Sequence, residues 1–347
     1  MPSVLSLSRR FLISVAVMSL AVTALCSLSV FLVVERELEN RQIAFLADYV
    51  RERADNVDKR FSNLAAVHAS AAQALERRVH RLSSADVARL TDRYYPLNGD
   101  GTRRSRSEDF DGRFDDAGGF TYGIGAYIGH EAQTPPAEKA ALAAAYEIVS
   151  DMGQAIHGDY DNFYFFTPGT RLVMFGPDRP DHLMFYRHDA PADLDVSGEE
   201  MARLTLPDND PTRATRCTNL QRLVQNTHGE RLATGCITPA YVDGRYVGSF
   251  GSSIELTGFF LNAIRTTLPG ASNLVVTDKG ELIAYPGIAT PGVASPDTIA
   301  AYEKQLSLSG LIAHIKRDGR AHGVIPSVDG RQLVALASSQ DPTGTCC

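Results

Sequence analysis

The chain has 347 residues, a hydrophobic fraction of 44% and a formal net charge of −7. Such a length allows about two domains, the apolar content suffices for a packed core, and no basic stripe marks a nucleic-acid partner. Five cysteines, at positions 26, 217, 236, 346 and 347, are too few for a disulfide-built miniprotein, and tryptophan is absent.

Phe11 to Val34, "FLISVAVMSLAVTALCSLSVFLVV", carries no charge. It exceeds the roughly 20 residues that span a bilayer core. Arg9 and Arg10 precede it, which places residues 1–10 in the cytoplasm and the body outside. A cleaved signal peptide is the alternative. It wants an apolar core of about 7–15 residues and a small-residue exit; this run is too long, and its exit, "FLVVEREL", offers no such site. The expectation is an uncleaved, single-pass anchor over 11–34 in a bacterial plasma membrane.

Residues 35–84 contain neither Gly nor Pro. Apolar or small residues recur at Leu46, Val50, Val57, Phe61, Leu64, His68, Ala71, Leu75, Val79 and Leu82, the spacing of a helical stripe. A helix of that length would reach about 75 Å. The stripe fits a dimer seam or packing on the chain's own later sheets, and His68 within it reads as a packed histidine.

"NGDGTRRSRSEDFDGRFDDAGG" reads as a polar loop, without the ordered ligands of a calcium loop. Phe120–Gly129 reads as a strand and Pro135–Ile156 as an alanine-rich helix with prolines at its start. "DNFYFFTPGTRLVMFG" reads as two strands about a turn, "DHLMFYRHD" as a further strand, and "DLDVSGEEMARL" as a helix with Ser197 as N-cap. Two strands meet about Asp243-Gly244. A short helix over 257–270 precedes a more compact repeat of the pattern: a hairpin about Lys279-Gly280, a helical stretch, and a hairpin about Asp329-Gly330.

A membrane helix, a long helix and two modules with such hairpins resemble the bacterial double Cache (PAS-like) sensor domain. "PAYVDGRYVGSFGSSIELTGFFLNAI" in the first module and "NLVVTDKGELIAYPG" in the second carry the resemblance, which covers about residues 35–340. It implies an α+β fold: stalk helix over 35–84, membrane-distal antiparallel-sheet module over 85–265, membrane-proximal module over 266–340. It also implies extracytoplasmic sensing of a small-molecule ligand, a homodimer, and output through a histidine kinase, diguanylate cyclase or chemoreceptor. The texture of "FFTPGTRLVMFGPDRPDHLMFYR" and "GCITP" is most similar to sensor histidine kinases. One departure bears on the ligand: members that bind amino acids often carry an aspartate where this chain has Ser253. A neutral hydroxyl holds an ammonium more weakly than a carboxylate does.

The second module shows four strands where the family has five. "DPTGTCC" over 341–347 can be encoded so that a shift of two nucleotides reads Pro-Asp-Trp-Tyr-Leu-Leu, which resembles the missing strand. The expectation is an aberrant tail after an incomplete module, and Cys346 and Cys347 belong to it. A sheet short of its central strand exposes open edges, so Asn273–Ser339 should be susceptible to limited proteolysis.

For the ligand, the candidates are Tyr164, Phe166, Tyr186, Arg187, Thr238, Tyr241 and Ser253. Aromatic walls with a few polar groups suit a small-molecule pocket, and Arg187 could hold a carboxylate; the same aromatics also fit plain packing. Cys217 and Cys236 are candidates for a disulfide in an oxidising compartment, against two buried thiols or metal ligands. A bridge there would contribute roughly 3 kcal/mol. His182 and His188 sit among aspartates without a zinc spacing. No catalytic motif, metal site or cofactor motif is visible, so the expected role is binding without catalysis: a receptor's sensing half, or a tethered binding protein acting through a partner. An extracytoplasmic enzyme is the third possibility, and no motif supports it.

Overall fold

The computed structural model describes residues 7–114, 118–130, 133–218, 221–222, 232–255, 264–265, 268–277, 279–288 and 295–338. The tail 341–347 with Cys346 and Cys347, and most of the helix expected over 257–270, lie outside them.

The protein is α+β with antiparallel sheets. Its first element, α1 (Leu7–Val79), is one unbroken helix of 73 residues containing both the apolar span and most of the expected stalk. Among the described residues it is the one helix long and apolar enough to cross a membrane. Its most apolar window has a mean hydropathy of 2.4 and is entirely unburied. The helix ends at Val79, short of the Ser84 expected for the stalk, because Ser83 starts a new helix, α2 (Ser84–Tyr94), through a capping box with Asp86.

Two compact units share α1. One comprises residues 1–54 and 315–338, the other 55–314. In the larger unit, eight strands form one sheet: β1 (Arg103–Arg104), β4 (Ile124–Ile128), β5 (Phe163–Phe166), β6 (Leu172–Phe175), β7 (Arg216–Cys217), β8 (Gln221–Arg222), β9 (Leu232–Val242) and β10 (Arg245–Glu255). The order is β1-β4-β6-β5-β10-β9-β7, with β8 also on β9. The helix α3 (Ser107–Asp111) and a ribbon of β2 (Arg113–Phe114) and β3 (Phe120–Thr121) flank it. The β9–β10 hairpin turns at Asp243 and Gly244, both at positive φ.

Successive side chains on a strand point to opposite faces. On the helix face, Ile124, Ala126, Phe163, Phe165, Val173, Phe175, Ala240 and Phe250 pack against Ala71 and Leu75 of α1, Leu90 and Tyr94 of α2, and α4 (Pro136–Ala155). The alanine run of α4 is buried, which lets that helix lie close to the sheet. Phe61 and Leu64 of α1 continue the contact in a cluster with Cys236 and Ile254. From Phe61 to Leu75, the stripe thus packs on the chain's own sheet.

The other face is covered by irregular chain. "DHLMFYRHD", expected as a strand, forms a π-helical turn over Phe185–Asp189 instead. His182 and Leu183 both take positive φ, which ends any extended run. Arg104 then donates to the carbonyls of Tyr186 (3.1 Å) and Ala190 (2.5 Å) and ties the turn to β1. The helix expected from Ser197 is shorter, α5 (Glu200–Leu204), with Glu199 at its N-cap. The Ser197 N–H is already engaged by the Asp195 side chain at 2.8 Å.

Further along the chain, β11 (Val275–Val276) pairs with β12 (Leu282–Ala284), and α6 (Pro296–Gln305) and α7 (Leu308–Asp318) follow. In the smaller unit, β13 (His322–Pro326) pairs with β14 (Leu333–Ala337) about the Asp329-Gly330 turn. The sequence suggested one sheet for these four strands. Among the described residues they form two separate two-stranded ladders.

Candidate functional site

The irregular side of the large sheet, the loop face, carries Tyr127, Tyr164, Phe166, Leu172, Met174 and Ile237. Phe110, Leu183, Tyr186 and Ala190 close over them. Two glycines allow the close approach. A Cβ on Gly251 would lie 2.5 Å from the Tyr164 ring, and one on Gly125 would lie 2.8 Å from the Leu183 Cβ. Tyr164 therefore lies flat across β10, opposite its ladder partner Gly251.

Of the candidates read from sequence, Tyr164, Phe166, Tyr186 and Ser253 share this face. Ser253 is 4% exposed, and its N–H donates to Asn162 Oδ1 at 2.8 Å. Its side chain neighbours the Tyr164 hydroxyl. Burial raises both Tyr164 and Tyr186 well above the ordinary phenol range, so both stay protonated. Arg187 sits at the β4 side, its guanidinium 4.8 Å over the Phe110 ring and bonded to the His182 carbonyl at 2.9 Å. Its Nε is buried without a partner. Tyr241 lies toward the β9–β10 turn, under the Arg213 guanidinium at 4.0 Å and beside Tyr246.

Thr238 is not part of this face. It points to the helix side, where its hydroxyl meets His68 Nδ1 at 3.2 Å and Thr215 Oγ1 at 2.7 Å. A strand buried on both faces gives no polar/apolar alternation to show which way a threonine points. Cys217 and Cys236 are opposite each other on β7 and β9, and a disulfide joins them. His182 stacks on Phe110, and His188 pairs with its neighbour Asp189; they do not converge. Among the described residues no three His, Cys, Asp or Glu side chains are grouped to hold a metal ion.

Three further residues make the loop face more than a packed surface. Asn162, 2% exposed, uses its Oδ1 on β10 and leaves Nδ2 buried and unpartnered. Arg179, its side chain 10% exposed, reaches Asp181 Oδ1 through Nε at 3.3 Å. Its terminal nitrogens have no partner among the described residues. Asp181 Oδ2 is buried and unpartnered. A Cβ on Gly176 would lie 3.0 Å from Arg179 Cγ and 3.5 Å from Asn162 Cβ, and the charges of Arg179 and Asp181 are felt at Tyr186. These groups are therefore neighbours. Buried polar atoms are normally paired; here an orphan donor, an orphan acceptor and a half-used guanidinium lie close together. The sequence signal was the "PDRPD" segment: Pro177 and Pro180 hold charged side chains in place directly after a strand.

A separate open cleft of about 500 Å³ lies beside α5, lined by Gly198, Glu200, Arg203, Leu204, Asn209 and Arg216.

No family model matches the sequence, and no curated protein matches it. Solved structures to which the chain is similar include the ligand-binding domain of the Pseudomonas aeruginosa PAO1 amino acid chemoreceptor PctB in complex with L-Arg. It is 14% identical, with a TM-score of 0.46, over 88% of this chain and 92% of that one. The periplasmic sensory domain of the Campylobacter jejuni chemoreceptor Tlp1 is 11% identical, with a TM-score of 0.45, over 86% and 90%. The sensory domain of the Campylobacter jejuni chemoreceptor Tlp3 (CcmL) with isoleucine bound is 13% identical, with a TM-score of 0.41, over 78% and 82%.

Proposed function

We propose that this chain is a membrane-anchored, extracytoplasmic sensor of the double Cache type that binds a small carboxylate on the loop face of its large sheet. One observation carries the reading. Arg179, Asn162 and Asp181 hold unused hydrogen-bonding capacity, with Arg179 and Asp181 beside Tyr186. The opposite face of the same sheet packs on the helix that contains the apolar span. The spare donors of Arg179 and Asn162 suit a carboxylate, because a guanidinium fork and a buried amide N–H both bond such an oxygen strongly. The spare acceptor at Asp181 suits a hydroxyl or amino group on the adjacent carbon. Tyr164 and Tyr186, kept protonated, supply apolar walls with polar tips.

In this reading the N-terminus is cytoplasmic and the body periplasmic. The ligand is bound and released unchanged. The exposed Leu38 and Phe45 on α1 suit a homodimer seam. A histidine kinase is the output that the sequence texture favours, and a chemoreceptor output fits the same chemistry.

The experiment is a thermal-shift screen of the full chain in lipid nanodiscs against small mono- and dicarboxylates, α-hydroxy acids and amino acids. A ligand at about 100 times its Kd should stabilise by about 2.7 kcal/mol. Arg179→Gln should remove the shift. A screen in which no carboxylate raises the melting temperature, or in which Arg179→Gln leaves every shift intact, contradicts the proposal.

A further inference from the structure

His68 lies in the middle of the helical stripe and is fully buried. Both ring nitrogens are used. Nδ1 meets Thr238 Oγ1 on β9 at 3.2 Å, and Nε2 meets Ser252 Oγ on β10 at 3.1 Å. The Thr238 hydroxyl also bonds Thr215 Oγ1 at 2.7 Å. Burial lowers the His68 pKa to about 3, so the ring is a neutral partner with one donor and one acceptor nitrogen.

Around this cluster the contact between α1 and the sheet is apolar: Phe61 and Leu64 on one side, Ala71 and Leu75 on the other. An apolar stripe is tolerant of sliding. Moving α1 by seven residues so that Phe61 takes the place of His68 brings Leu64 to that of Ala71 and Val57 to that of Leu64, all apolar, and carries His68 into the place of Leu75. Of the contacts that α1 makes with the sheet, the polar one is specific to one position; Arg78 with Glu147 on α4 (2.7 Å) and Arg60 with the Asp159 carbonyl (3.1 Å) hold the helix to its other neighbours. Slid out of place, His68 would meet apolar neighbours while the Thr238 and Ser252 hydroxyls would face a hydrocarbon surface. Single buried polar groups fix register in helical interfaces by this logic.

We infer that His68 is a register key that sets the axial position of the stalk helix on strands β9 and β10. The key is wired to the proposed site through β10. Ser252 bonds His68 on one face, and the next residue, Ser253, is held by Asn162 on the other. A ligand that captures Asn162 Nδ2 would load the same strand that positions the helix. This use in sensing rests on the ligand site proposed above; the register itself does not.

The test needs no ligand. In a Cys26→Ser, Cys346→Ser, Cys347→Ser background with the native disulfide intact, spin labels are attached at Ala66→Cys on α1 and Arg245→Cys on β10. Both positions are exposed. Dipolar spectroscopy on the full chain in nanodiscs should give a single narrow distance. His68→Gln, which keeps hydrogen-bonding atoms at both ends, should retain it. His68→Leu should broaden it or add a second distance, displaced by roughly one or two helical turns, about 5–10 Å.

His68→Leu leaves two buried hydroxyls to find other partners. A triple variant, His68→Leu with Thr238→Val and Ser252→Ala, removes that penalty and should fold with the same loss of a unique register. A folded triple variant with the wild-type distance overturns the inference. So does a triple variant that fails to fold, because the cluster would then supply stability rather than register.

Discussion

Gly251→Ala tests the loop face most sharply. Gly251 faces Tyr164 across the β5–β10 ladder, and a Cβ there would sit 2.5 Å from both Cε2 and Cζ of the ring. Carbon atoms pack at about 3.5–4.0 Å, so the ring must lift by about 1 Å. It has little room: Tyr164 is 4% exposed and has Phe166 and Tyr186 for neighbours. Overpacking of this kind costs about 1–3 kcal/mol. Replacing a strand glycine by alanine returns about 0.5–1 kcal/mol of backbone entropy. The clash wins, and Gly251→Ala should lose about 1–2 kcal/mol in urea denaturation followed by circular dichroism. Tyr164→Leu alone should cost about 2–3 kcal/mol. The double variant should lose at least about 1 kcal/mol less than the sum, because the shorter side chain vacates the contact. Additivity within about 0.5 kcal/mol, or a neutral Gly251→Ala, would refute the flat placement of Tyr164.

Three other outcomes are expected. Cys217→Ala with Cys236→Ala opens a 19-residue connection and should cost about 3 kcal/mol, read as the stability difference from the oxidised parent; equal stability would show that the bridge constrains nothing. His68 binds its proton far more weakly folded than unfolded, so the unfolded chain takes up the proton first as pH falls below about 6.5. The stability that this neutral histidine contributes is therefore complete above about pH 6.5 and is lost toward its folded value of about 3. Between pH 7 and 5 the parent should lose about 2 kcal/mol more than His68→Gln, and parallel pH profiles would contradict that. Arg171 joins the β5–β6 turn to α4 through Thr134, Glu138 and the Gln133 carbonyl. Arg171→Met leaves a mostly buried Glu138 without its cation and should cost about 2–3 kcal/mol; a loss below about 0.5 kcal/mol would mean the pair is solvated.

Local chemistry was legible in the sequence. The uncharged run over 11–34, the Gly- and Pro-free helix after it, and the turns at Asp243-Gly244 and Asp329-Gly330 each depend on neighbours in the chain. The turn over Phe185–Asp189 was not legible, because Arg104, 82 residues earlier, captures the Tyr186 carbonyl. The facing of Thr238 was hidden for another reason: its strand is buried on both sides, so polarity does not report direction. Asn162, Arg179 and Asp181 sit at element ends, where periodicity says nothing. Their significance comes from atoms left unpaired, which only coordinates reveal.

The most direct measurement is calorimetric titration of the strongest carboxylate from the screen into the full chain and its Arg179→Gln, Asn162→Leu and Arg203→Gln variants. Losing a charged hydrogen bond costs about 1.5–3 kcal/mol, so the first two should weaken binding at least about tenfold. Arg203, in the separate cleft, should not matter. Unchanged affinity in Arg179→Gln and Asn162→Leu, or loss confined to Arg203→Gln, would contradict a ligand site on the loop face.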